Sequence, residues 1–256
     1  MKKTLLAAAA LAALGAANAN AYVLYQGLDS GAGEGTPLAS TPNADAARNS
    51  FFSQLTGVGT ETFEGIAAGT SAPLVVNFGA AGTATLTGGG GEVASVTPGT
   101  TNGFGRYSVP SATSSRYWEV EAGQTGDFSV TFSEEIAAFG FYGIDIGDFD
   151  GTLSLETYDA ADQLIGSQVV SSVRQAGGTV LYFGLIANNA SENFKSVTFR
   201  TTQGSGDVFA FDNFSIGTEE QVCRDNCGNP VPEPATLGLL GLGLVGLAAA
   251  RRRKTV

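Results

Sequence analysis

The chain has 256 residues, 24 of them acidic against 13 basic, a net charge of −11 and no histidine. The lack of histidine excludes a Ser-His-Asp triad, a His-ligated zinc site and a histidine general base. Residues 22–231 hold 7 basic and 23 acidic residues, a net of −16, which excludes the basic surface that nucleic acid requires and suits either solubility outside a cell or divalent-cation binding.

At the N-terminus, Lys2 and Lys3 precede an apolar run from Leu5 to Ala17. Small-residue cleavage sites follow at Ala17-Asn18-Ala19 or Ala19-Asn20-Ala21. This is the pattern of a secretory signal peptide over residues 1–21, so the fold is expected to begin near Tyr22. Residues 22–58 read as an N-terminal segment holding one helix over about residues 44–55. Asn43 would cap it, and Ala47, Phe51, Phe52 and Leu55 would be buried on one side, across an open end or edge of the main fold.

From residue 59 to residue 217 the pattern changes to strands. Phe128 to Phe132, Ile136 to Ile146, Thr152 to Tyr158, Val180 to Leu185, Lys195 to Thr201 and Val208 to Ile216 are rich in Val, Phe, Tyr, Thr and Ile. Clusters of Gly, Asn, Asp and Ser separate them. That spacing predicts one all-β domain, a jelly-roll-like β-sandwich of two layers. Residues 218–230 read as a linker carrying the only cysteines, Cys223 and Cys227. In an exported chain this C-x3-C pair is expected to close a small disulfide loop, too short to restrict much chain entropy.

Three groups of residues invite a functional reading. Asp145, Asp148 and Asp150 lie within six positions of one another in Phe141-Tyr142-Gly143-Ile144-Asp145-Ile146-Gly147-Asp148-Phe149-Asp150-Gly151. Clustered carboxylates at a strand-to-turn junction suit calcium, but the EF-hand pattern fails: with Gly151 as turn glycine, Ile146 and Thr157 would occupy ligand positions. Asp side chains that accept from local backbone amides explain the same letters. Glu64 and Asp212 form the second group. Asp212 shares a strand face with Ala210, Phe214 and Ile216, and a carboxylate on an apolar face needs a partner, either calcium or backbone amides. The third is Tyr107, Tyr117 and Trp118, which would stack on sugar rings if exposed and belong to the core if not. Gly241-Leu242-Gly243-Leu244-Val245-Gly246 fits GxGxxG but has neither the strand before it nor the acid after it that a dinucleotide site needs.

The tail is the most specific part. Val231-Pro232-Glu233-Pro234 precedes an uncharged apolar stretch, Ala235 to Ala250, and then Arg251-Arg252-Arg253-Lys254. A helix over residues 235–250 reaches about 24 Å, short of the roughly 30 Å hydrocarbon core, and fits a marginal, temporary transmembrane anchor. The basic cluster keeps its end in the cytoplasm and places the preceding domain outside. Residues 231–254 resemble the PEP-CTERM sorting signal of Gram-negative bacteria, which implies recognition and cleavage by a membrane-embedded exosortase and implies no single activity.

Residues 59–217 resemble the ectodomains of uncharacterised PEP-CTERM proteins through Glu61-Thr62-Phe63-Glu64-Gly65, Ala138 to Asp148 and Phe211-Asp212-Asn213-Phe214. The pairing of Glu64 with Asp212 is similar to that in jelly-roll carbohydrate-binding modules, where it implies a structural calcium. The uncharacterised PEP-CTERM family supplies no known activity; the reading of the whole chain is an exported, non-enzymatic protein of the cell surface or matrix, structural or adhesive, and the PEP-CTERM resemblance implies an association with exopolysaccharide. The alternatives are a calcium-supported carbohydrate-binding module and a glycan hydrolase; a hydrolase needs two acids about 5 to 9.5 Å apart in a groove, and the spacing of Glu119 with Glu121 and of Glu134 with Glu135 gives no reason for them to face one cleft.

Overall fold

The computed structural model describes residues 22–122, 127–147, 151–171, 175–202 and 207–224. The predicted signal peptide, Asp148, Asp150, Cys227 and the tail from Val231 onward, with its helix over 235–250, lie outside the described residues. In chain order the elements are β1 (Tyr22–Asp29), α1 (Pro42–Phe52), β2 (Gly59–Glu61), β3 (Leu74–Asn77), β4 (Thr83–Gly88), β5 (Glu92–Ser95), β6 (Arg116–Ala122), β7 (Phe128–Ile136), β8 (Ala138–Ile144), β9 (Leu153–Tyr158), β10 (Leu164–Ser171), β11 (Val180–Ala187), β12 (Phe194–Thr201) and β13 (Asp207–Gly217).

They build two antiparallel sheets packed as a β-sandwich. The first runs β1-β11-β8-β13-β6-β5, with β2 also paired to β13; the second runs β10-β9-β12-β7-β4-β3. The sequence explains the difference between the sheets. Every residue of β8 and β11 is buried, as expected of central strands covered on both faces. In β4 and β9 buried residues alternate with half-buried ones, so the second sheet turns one face to solvent. Between the layers the phenylalanines pack ring on ring, Phe199 lying 4.8 Å from Phe211 and 5.0 Å from Phe128 between centroids.

Residues 22–58 are part of this domain. β1 pairs with β11 along its whole length, from Tyr22↔Ala187 to Asp29↔Val180. The helix α1 lies on the outer face of the first sheet, against β1, β11 and β8, and not across an end or edge. Two glycines open the seat for it: a Cβ on Gly184 would stand 2.7 Å from the Phe51 ring, and one on Gly140 3.1 Å from it. Ala44, Ala47 and Phe51 are the buried residues of the helix. Phe52 is half-buried, and Leu55 is buried just beyond the helix end.

The cap also differs from the expectation. The helix starts at Pro42, which puts Asn43 inside the first turn, and the Thr41 side chain at the N-cap position makes no capping bond. Asp29, at the end of β1, does the work instead: its carboxylate accepts the N–H groups of Asn43 and Ala44 (2.9 Å to Ala44) and the Asn43 side-chain amide. A carboxylate from another element thus satisfies the free amides of the first turn and favours their partial positive charge. The start of the expected linker is docked as well, since Leu55 bridges to Val222 and the Cys223 N–H reaches the Gln54 carbonyl at 2.8 Å. Among the described residues no helix is long and apolar enough to cross a membrane.

Candidate functional site

A cleft of about 680 Å³ opens between α1, the outer face of the first sheet and the segments 38–41 and 107–111. Its walls are held from below. The Tyr107 hydroxyl donates to the Gly178 carbonyl at 2.9 Å and accepts the Leu38 N–H at 3.1 Å, and Ser111 donates to the Leu38 carbonyl at 2.8 Å. Burial pushes the Tyr107 phenol up to about 12, so it stays a neutral donor.

Asp212 fastens the other side. It is 1% exposed; its Oδ2 accepts the Ser108 hydroxyl at 2.7 Å and the Val109 N–H at 2.8 Å, while its Oδ1 accepts the Asn213 N–H at 2.7 Å. Burial pushes this carboxyl up to about 8 against the pull of those three bonds. Asn213, at φ 52°, turns its side-chain amide to the Val109 carbonyl at 2.8 Å. The left-handed backbone there is one that asparagine tolerates better than most residues.

On the helix side, Asp45 accepts the Tyr142 hydroxyl at 2.6 Å and the Thr41 hydroxyl at 3.1 Å on Oδ1. Burial and that carboxylate together raise the Tyr142 phenol far above its ordinary range, so it donates throughout. Arg48 lines the same cleft, with its guanidinium carbon 4.3 Å from the centroid of the Phe52 ring. Asn49, Thr60 and Thr62 complete the polar rim. Asp45 is the one carboxylate among the described residues that line the cleft.

The described acids that the sequence groups are each held by hydrogen bonds of their own. Glu64 lies in a turn after β2 and is exposed. It accepts the Ser115 N–H at 2.7 Å, the Arg116 N–H at 2.8 Å and the Ser115 hydroxyl at 2.8 Å. Its partial burial raises the carboxyl, but those bonds outweigh it and hold the pKa below the usual glutamate range. Glu64 and Asp212 thus engage different donors, from residues 115–116 and 108–109, and share no group. Asp145 is buried at φ 63°, accepts the Gly178 N–H at 2.8 Å and lies 3.7 Å from the Arg106 guanidinium. Among the described residues no group of three or more acids or cysteines has metal-binding geometry.

Tyr107, Tyr117 and Trp118 are each at most 1% exposed and belong to the core, as their strand pattern allowed. Glu119 is engaged by Arg106 at 2.8 Å. Cys223 is disulfide-bonded. Sequence reasoning missed Asp45, Arg48 and Asn213 as a set, because Asn213 lies 168 positions from Asp45 and 165 from Arg48 and meets them only when β13 and α1 share one sheet face. The hint available was Arg48 four residues before Phe52, the spacing that lays a cation on a ring along one helix face.

The family model described as the PEP-CTERM protein-sorting motif matches residues 230–254. The chain carries a PEP-CTERM sorting signal. That signal marks an exported protein, and it covers only the tail. No curated protein matches the chain. Among solved structures, the chain is similar to the K2 cleaved adhesin domain of Lys-gingipain, at 12% identity and TM-score 0.41, over 63% of this chain and 100% of that one. It is similar to a DUF4465 family protein from Bacteroides caccae at 9% identity and TM-score 0.39, over 59% of this chain and 88% of that one. It is also similar to the CBM22-1 xylan-binding domain of Xyn10C from Paenibacillus barcinonensis at 13% identity and TM-score 0.36, over 68% and 99%. At these scores the likeness carries no argument about function.

Proposed function

We propose that this PEP-CTERM protein is made as an inner-membrane-anchored precursor, processed by an exosortase-type membrane protease, and displayed at the cell surface or in the matrix as a non-enzymatic, adhesive glycan-binding protein. The cleft over the first sheet is where it holds exopolysaccharide. One observation carries this reading: among the described residues, the cleft gathers hydrogen-bonding side chains around a single carboxylate. Glycan hydrolysis needs a second carboxyl group across the site, whereas glycan binding needs a concave surface with a few well-placed polar groups. Asp45, Asn49, Thr62 and Asn213 supply those groups.

The test is binding of the purified full chain to a polysaccharide panel, alongside a variant whose cleft is filled by Thr62→Trp. Binding by the wild type that the filled cleft loses supports the reading. Equal binding by both places the contact elsewhere on the domain, and release of reducing ends from any polymer would make the protein an enzyme.

A further inference from the structure

Arg48 holds an unpartnered charge in that cleft. The other described cations are engaged: Arg106 with Glu119, Arg200 with Glu156 and Asp127, and Arg224 with Glu219, while Arg116 donates to the Ile66 carbonyl at 2.8 Å and Lys195 to the Ser133 carbonyl at 2.6 Å. Arg48 makes no ion pair and no hydrogen bond with any described residue, in a region whose acids outnumber its bases by 16. Its guanidinium instead lies over the Phe52 ring. A ring covers one face of the guanidinium and leaves its in-plane N–H donors open. The contact with the ring restrains the guanidinium, which lowers the cost of ordering it around a ligand.

The acid that shares the cleft, Asp45, is not paired with Arg48. Its Oδ1 is committed to Tyr142 and Thr41. The same cleft is lined by neutral groups with capacity left. Asn213 donates through Nδ2 to Val109, which leaves its Oδ1 as an acceptor, and Asn49 makes no hydrogen bond with its side chain among the described residues. A guanidinium fork in a cleft also lined by a free amide carbonyl and a free amide suits a planar carboxylate flanked by hydroxyls.

We infer that the cleft selects an acidic sugar, a uronic acid unit of the polysaccharide, with Arg48 bidentate on its carboxylate. This rests on the glycan-binding reading above and names the ligand class. The acidic surplus elsewhere on the domain does not oppose it at physiological salt. The Debye length there is about 8 Å, so remote carboxylates are screened while a contact ion pair is not.

The experiment compares the full chain, by calorimetry at physiological salt, on oligogalacturonate and oligomannuronate, each against its own carboxyl-reduced form. Arg48→Gln and Arg48→Lys are measured in parallel, and unchanged melting curves show that both variants are folded. The wild type is expected to bind the charged oligosaccharide at least about tenfold more tightly than the reduced one, in line with the strength of charge-assisted bidentate bonds. Arg48→Gln is expected to abolish that preference, and Arg48→Lys to keep part of it without the bidentate geometry. Equal affinity for charged and reduced forms, or a preference unchanged in Arg48→Gln, overturns the assignment. Tight binding of the reduced forms that Thr62→Trp removes would overturn the acidic ligand and leave the glycan cleft standing; no binding to any oligosaccharide overturns both.

Discussion

Substituting Asp212 should change how the stability of the domain depends on pH, and the chain offers an unusually clean window for seeing it. Burial raises this carboxyl from 3.8 to about 8, while in the unfolded chain it titrates near 3.9. Between those values the unfolded chain has released the proton and the folded chain still holds it, so stability falls as pH rises, by up to about 1.4 kcal/mol per pH unit. For a domain of roughly 200 residues that is about 3 to 5 °C in Tm per unit. With no histidine in the chain, no other side chain with an ordinary pKa titrates between pH 5 and 8.

Asp212→Asn removes the titration. Its oxygen can still accept from Ser108 and Val109, but its amide then faces the Asn213 N–H. Opposing two donors in a buried site costs about 1–3 kcal/mol, or roughly 3 to 10 °C. Thermal melts of both proteins from pH 5 to 9 should therefore show the variant below the wild type at pH 5, the two curves crossing at about pH 6 to 7, and the wild type below the variant by pH 8. Parallel curves, with a wild-type Tm flat between pH 5 and 8, would refute the argument and show that the three hydrogen bonds outweigh the burial.

Other consequences follow from single contacts. Glu64 holds Ser115 and Arg116, so Glu64→Gln should lower Tm by about 2 to 6 °C equally in millimolar calcium and in chelator; a loss confined to calcium would make Glu64 a calcium ligand. Asp29→Ala removes the cap supplied to α1 and should destabilise the protein by about 1–2 kcal/mol, with hydrogen exchange rising first at the amides of Asn43 and Ala44; unchanged protection there would mean the helix start is held by packing alone. Deleting Arg251 to Lys254 should impair retention at the inner membrane, and replacing Pro232 to Pro234 should block release, both read by fractionation and mass spectrometry of the mature C-terminus. An intact tail on the surface form would contradict processing.

Much of the sandwich was legible because its central strands are local statements. Phe128 to Phe132 and Val208 to Ile216 combine β-branched and aromatic residues between turn formers, and they fall within β7 and β13. β1 escaped notice because Tyr22 to Asp29 includes Gln26 and Gly27 and gains its place only by pairing with β11, some 158 positions away. The helix was visible in its apolar spacing, but its seat depends on the absence of side chains at Gly140 and Gly184, and its cap on Asp29, a residue of another element. Asp212 could be seen to need a partner; that the partners are Ser108, Val109 and Asn213 follows from β13 passing under a loop that carries no strand signal. The sorting tail was fully legible because its recognition depends on short ordered motifs in the chain itself.

The central claim, a glycan cleft against α1, is tested most directly by measuring binding of surface polysaccharide to the full chain and to Thr62→Trp under identical conditions. The account predicts saturable binding by the wild type, its loss on filling the cleft, and no shortening of the polymer. Undiminished binding by Thr62→Trp, or cleavage of the polymer by the wild type, would contradict it.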